Sequence, residues 1–209
     1  MKQDLYIQSG PPARESGRAL IMIHGRGASA EDILGLATYL PVNDFTLAAP
    51  QAAGGSWYPY SFIAPVGQNQ PYLNQSLSTI ADVHADLNQQ GISDENIYWL
   101  GFSQGACLTL EYTTRNARRY GGVVAFTGGL IGAELQKDLY AKNFEGTPVL
   151  IASSDPDPHV PVSRVIESAE IIEGMHANLL TRIYKGMGHT VTQDEIREAA
   201  SHIFNSVNQ

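Results

Sequence analysis

The stretch IYWLGFSQGACL, residues 97–108, joins an apolar run to a helical pattern through Gly101, Ser103 and Gly105. Its first half, NIYWLGF (96–102), predicts a buried strand, and residues 104–119 predict a helix. A serine between two glycines at a strand-to-helix junction has two readings. One is a small-residue turn without chemistry. The other is a nucleophile on a sharp turn, where small neighbours let helix and strand approach and the hydroxyl projects above the sheet. Free N–H groups at the start of the following helix would then face the same point. Gly-x-Ser-x-Gly fixes three residues in five, so the second reading needs partners elsewhere in the chain.

The rest of the sequence repeats the same alternation. Strands are predicted at ALIMIH (19–24), FTLAAP (45–50), GVVAFTG (122–128), TPVLIASS (147–154) and NLLTRIY (178–184). Helices are predicted over 29–40, with Ser29 and Asp32 as a capping pair, and over 74–91, 161–176 and 192–207. Such alternation predicts an α/β fold: a mostly parallel central sheet with helices on both faces. No repeat or linker divides it, so one domain is expected over 1–209. Residues 51–74 form a long loop rich in Gly, Pro, Gln and Asn that carries Trp57, Tyr58, Tyr60, Phe62 and Tyr72. A loop of that length in a compact domain is commonly functional.

In a parallel sheet, ligands bind at the carboxyl ends of the strands. Asp155 and Asp157 follow the strand at 147–154, and His189 follows the strand at 178–184. With Ser103 they give the chain order Ser, acid, His that a serine hydrolase of this architecture requires. The Gly-rich turn HGRGAS (24–29) stands where an oxyanion donor belongs.

Composition narrows the classes. The 209 residues carry a formal net charge of −8, with 43% hydrophobic and 16% charged residues. That balance opposes nucleic-acid binding and stable docking on anionic membranes. No apolar run approaches the roughly 18 residues of a membrane helix. The opening MKQDLYIQSGPP lacks a signal-peptide core, and one cysteine, Cys107, excludes an internal disulfide, so a cytoplasmic location is expected.

Together, HGRGAS after the first core strand, GFSQGA at the serine, DPHVP (157–161) and GMGH (186–189) resemble the carboxylesterase/phospholipase family of α/β-hydrolases, which includes the acyl-protein thioesterases. The resemblance covers nearly the whole chain. It implies an α/β-hydrolase fold with Ser103 as nucleophile, Asp157 as acid and His189 as base. It further implies an oxyanion hole from the backbone N–H groups of Arg26 and Gln104, and a substrate wall at SWYPY (56–60) that includes Trp57 and Tyr58. The implied substrates are small esters or thioesters, without metal or organic cofactor, and a homodimer is common. Two positions depart from the family pattern. Arg26 stands where an apolar residue is usual, and Ser153-Ser154 replaces His-Gly in the acid loop.

Several residues have competing readings. Asp155 is a turn residue if Asp157 is the acid, as the DPHVP match favours. His159 forms no metal-ligand cluster with other residues and reads as an exposed loop histidine. His24 is expected to hold the oxyanion loop. His84, His176 and His202 fall in helical stretches and read as solvated or locally paired. Cys107, one turn below Ser103, is expected to pack in the core. The Arg26 guanidinium either meets a substrate carboxylate or phosphate, or pairs on the surface with Glu31 or Asp32, the preferred reading. Residues 129–146 are a candidate short cap. GRGASA (25–30) also fits a dinucleotide-binding Gly-x-Gly-x-x-Ala turn, but AAPQ (48–51) puts no acid at the end of the second strand, where the ribose requires one. A non-catalytic binding protein on the same fold remains the other alternative.

Overall fold

A computed structural model of the chain describes residues 5–204. In chain order the elements are β1 (Ile7–Ser9), α1 (Ala13–Ser16), β2 (Ala19–Ile23), α2 (Ala30–Gly35), β3 (Thr46–Ala49), α3 (Tyr72–Gln89), β4 (Ile97–Phe102), α4 (Gln104–Arg115), β5 (Gly122–Phe126), β6 (Pro148–Asp155), α5 (Val162–Gly174), β7 (Asn178–Lys185) and α6 (Gln193–Ala199). The strands form one sheet in the order β1-β3-β2-β4-β5-β6-β7. Every pairing is parallel except β1 with β3.

Side chains of the inner strands alternate between two apolar layers, as the two-residue period of a strand requires. Ile21, Ile23, Trp99, Val123, Ala125, Val149 and Ile151 face α3, α4 and α5. Leu20, Met22, Leu100, Val124, Phe126, Leu150 and Ala152 face α2 and α6. Because both faces are covered, the strands read as continuous apolar runs rather than alternating ones.

The predicted elements recur with shifted ends. β1 was not predicted: its three residues are all exposed, so an edge strand here carries no burial pattern to read. The predicted helix over 104–119 stops at Arg115, where the Asn116 side chain donates back to the Tyr112 carbonyl. α2 tightens into a 3₁₀ turn at Leu36–Tyr39. α6 continues as a π turn over Ala200–Phe204, and positions 205–207 of the predicted last helix lie outside the described residues. No helix among the described residues is long and apolar enough to cross a membrane.

Candidate active site

Ser103 sits between β4 and α4 with φ 54° and ψ −119°, a conformation that costs energy for any residue with a Cβ. Two glycines make the turn possible. A Cβ on Gly101 would lie 2.4 Å from the Gly105 carbonyl oxygen, and one on Gly105 would lie 2.0 Å from the Ile23 oxygen. At both positions the nearest atom is backbone, which cannot swing aside as the end of a flexible side chain would. Gly105→Ala is expected to cost on the order of 3 kcal/mol, or roughly 6–12 °C in Tm, measurable by thermal unfolding.

His189 follows β7, and Asp157 follows β6. The Ser103 hydroxyl donates to His189 Nε2 at 2.8 Å, and His189 Nδ1–H donates to Asp157 Oδ2 at 2.8 Å. The carboxylate only accepts, which assigns the proton to Nδ1 and leaves Nε2 to receive from the serine. Asp157 Oδ1 accepts from the His159 and Val160 amides at 2.8 and 2.9 Å, and the Asp157 side chain is wholly shielded from solvent. Burial works to raise its pKa. The bonds from the His159 amide, His189 and the Val160 amide outweigh it, so the acid is held below the usual carboxylate value. The stability this carboxylate contributes is present above its unfolded pKa and lost as pH falls through the lower folded one. Asp155 is exposed and directs no side-chain bond to His189.

The Gly-rich turn at 24–29 follows β2. His24 holds it: Nδ1–H donates to the Gly25 carbonyl at 2.7 Å, and Nε2 accepts from the Ala52 amide at 3.1 Å. Burial lowers the pKa of His24, which suits this neutral tautomer. Among the described residues, the Arg26 and Gln104 amides have no acceptor. Arg26 stands in the turn after β2, and Gln104 is the first residue of α4, next to Ser103 in the chain.

The cleft over Ser103 has a volume of about 790 Å³. Tyr58, Pro59, Tyr60, Phe62 and Ile63 line one side, and Pro158, His159 and Val160 the other. No carboxylate lines it, although the chain carries −8 overall. Trp57 corrects the expectation of a wall residue. Its indole N–H donates to the His24 carbonyl at 2.9 Å, the residue is 4% exposed, and it lines a separate cleft with Gln75, Ser76 and Thr79 of α3. Arg26 corrects another. Its guanidinium pairs with neither Glu31 nor Asp32, but donates to Ser56 Oγ and to the Pro59 and Tyr60 carbonyls. Asp32 is committed to the Ser29 cap.

Nearly the whole chain matches one family model. Residues 6–207 fit the model described as Phospholipase/Carboxylesterase. The chain belongs to this family. A curated relative, the acyl-protein thioesterase 1 of Saccharomyces cerevisiae, is 30% identical over 220 residues, 94% of each chain. A crystal structure of a phospholipase/carboxylesterase from Dyadobacter fermentans is 52% identical, with a TM-score of 0.94 and 95% of each chain covered. The Bacillus cereus carboxylesterase, at 18% identity, TM-score 0.77 and coverage of 94% and 91%, shares the fold. The protein is thus an α/β-hydrolase of the esterase type, and the dinucleotide-binding reading falls. Asp44, the acid just before β3, pairs with Arg18 at 3.6 Å.

The remaining candidates stand outside the hydrogen-bonded path from Ser103 through His189 to Asp157. Cys107 is buried, and desolvation pushes its thiol up to about 12. His84 is enclosed, bonded to Tyr112 and Asp94. His202 bonds the Asn178 carbonyl, and His176 lies just beyond α5 on an exposed turn with φ 60°. His159 is exposed as expected, yet its ring stands edge-on to His189 with centroids 4.9 Å apart. Residues 129–146 line no part of the cleft. Buried Glu111 accepts from the Ile131 amide and the Tyr140 hydroxyl, and the Arg164 guanidinium donates to the Leu130 carbonyl, pinning the segment to α4 and α5. Sequence reasoning missed Ser154. Its Oγ accepts from the Gly188 amide at 3.0 Å and donates to the Pro156 carbonyl at 3.3 Å, cross-linking the Asp157 and His189 loops. The signal was the departure from His-Gly at Ser153-Ser154.

Proposed function

We propose that this chain, acting as one domain, is a serine esterase that cleaves small soluble carboxylic esters or thioesters through Ser103, His189 and Asp157. The observation that carries this reading is the unbroken hydrogen-bonded path from Ser103 Oγ through His189 to Asp157. It lies at the carboxyl ends of three strands and opens on the cleft that Ser103 and His189 line.

In the first half-reaction, Ser103 Oγ attacks the acyl carbon while His189 Nε2 takes its proton. Asp157 stabilises the resulting imidazolium and fixes its tautomer. The carbonyl oxygen becomes an oxyanion, to which the Arg26 and Gln104 N–H groups donate. As the intermediate collapses, the alcohol or thiol leaves with the proton from His189 Nε2, and the acyl group stays on Ser103. In the second half, water gives its proton to His189 and attacks the same carbon. Ser103 regains the proton as the acid departs. None of these steps needs a metal or organic cofactor.

The name of the yeast relative supports thioesters as substrates, and the carboxylesterase relatives support oxygen esters. Both leave by the same chemistry. A cleft without carboxylates on an acidic protein suits neutral or weakly anionic acyl compounds and offers nothing to an anionic bilayer. Cytoplasmic location and a homodimer accord with the composition and the family. Assay of an ester and thioester series of increasing acyl length tests the proposal. Turnover above the Ser103→Ala blank is expected, and a series with none contradicts it.

A further inference from the structure

The Arg26 side chain does something the reaction does not require. Resting on the proposed role of Ser103, we propose that Arg26 is a positioning residue that sets acyl-length selectivity: it holds the Pro59–Tyr60 rim of the cleft to the turn that carries its own amide.

The loop over the cleft has two attachments of different kinds. Its base is fixed from within the fold. The Trp57 amide donates to Gln104 Oε1 at 3.0 Å, Gln104 Nε2 donates to the Tyr58 carbonyl at 2.8 Å, and Ser76 donates to the Trp57 carbonyl at 2.6 Å. The outer end is held by Asn69, which takes the Tyr60 amide and donates to the Ser61 carbonyl. The rim carbonyls of Pro59 and Tyr60 have one donor among the described residues, the Arg26 guanidinium, at 3.0 and 2.8 Å. The same group reaches Ser56 Oγ at 2.9 Å and lies 6.0 Å from the centre of the Tyr58 ring.

Serving three acceptors at once needs a planar, five-donor group, which a lysine ammonium supplies only in part and a leucine not at all. The rim presents Tyr60, 56% exposed, and Ile63 to the cleft. An acetyl group bound at Ser103 is too short to need them. A longer acyl chain lies along them and loses contacts when the rim is loose. Because the oxyanion donor is the Arg26 main chain, substitution of the side chain leaves it in place. Arg26 is exposed, so its loss opens no cavity.

The test measures kcat and KM for p-nitrophenyl acetate and octanoate on wild type, Arg26→Leu and Arg26→Lys. For Arg26→Leu, the octanoate-to-acetate ratio of kcat/KM should fall about tenfold through a rise in KM for octanoate, whatever change the two esters share, as misplacement of a positioning contact predicts. Arg26→Lys should recover part of the octanoate-to-acetate ratio. Amide exchange at Tyr60–Ile63 should quicken in Arg26→Leu and slow again in Arg26→Lys. An unchanged ratio in an active Arg26→Leu overturns the proposal and leaves the Ser103 mechanism standing, as does an equal loss on both esters. A loss confined to esters bearing a carboxylate would assign Arg26 to anion recognition and overturn the rim role. A wild type inactive on both esters removes the proposal together with the function it rests on. If Arg26→Leu fails to fold, the ratio in Arg26→Gln decides.

Discussion

Ser103→Ala should lower kcat for ester hydrolysis by roughly 10⁶-fold, with KM little changed. The size of the effect follows from what the hydroxyl does. In the proposed mechanism it forms the acyl-enzyme, and the nearby thiol of Cys107 is buried with its pKa pushed up to about 12. A thiol in that state is no substitute nucleophile. The proposed oxyanion donors are main-chain groups and survive the substitution, so a residual rate above the uncatalysed one should remain. Alanine at position 103 also relieves no overlap, since the strained backbone is set by Gly101 and Gly105. Stability should therefore change little, which separates a chemical loss from a folding one. Steady-state kinetics with active-site titration of the wild type measures it.

Asp157→Asn should lower kcat by about 10⁴-fold, while Asp155→Asn should stay within about twofold. Asp155 is the last residue of β6 and Asp157 stands two residues on, and only Asp157 turns inward. Asp157 accepts the His189 Nδ1–H and two backbone amides. An asparagine there can keep the two amides on its oxygen but then offers an N–H to the ring. That favours the tautomer with its proton on Nε2, which cannot accept from Ser103. Asp155 is exposed, and its main-chain carbonyl, which receives the Gly186 amide, is unaffected by the change. The pair of variants distinguishes loss of the acid from general damage to the loop.

The fold was legible because its inner strands are apolar throughout and its turns carry Gly, Pro or a capping pair. Ser29 with Asp32 is such a pair, and it starts α2 as expected. Thr192 with Glu195 starts α6 in the same way; the pattern was in plain view and locks the chain just after His189. β1 was illegible because three exposed residues contribute backbone pairing alone, which has no side-chain signature. Ser103, Asp157 and His189 could be listed from motif and order, and the loop positions after β4, β6 and β7 bring them together. The acid could not be chosen between Asp155 and Asp157 on spacing, since the backbone path that turns Asp157 inward depends on amides two and three residues further on. Trp57 and Arg26 were misjudged for a common reason. Their partners lie about thirty residues away, at His24 for the one and at Ser56, Pro59 and Tyr60 for the other, and no local pattern encodes a contact at that distance.

The most direct measurement is covalent labelling with a fluorophosphonate, followed by intact mass and peptide mapping. The account predicts one adduct per chain, located on Ser103, formed rapidly in the wild type and Asp155→Asn and abolished or greatly slowed in His189→Ala. A folded wild-type chain that takes up no label, or one whose adduct maps to another residue, would contradict it.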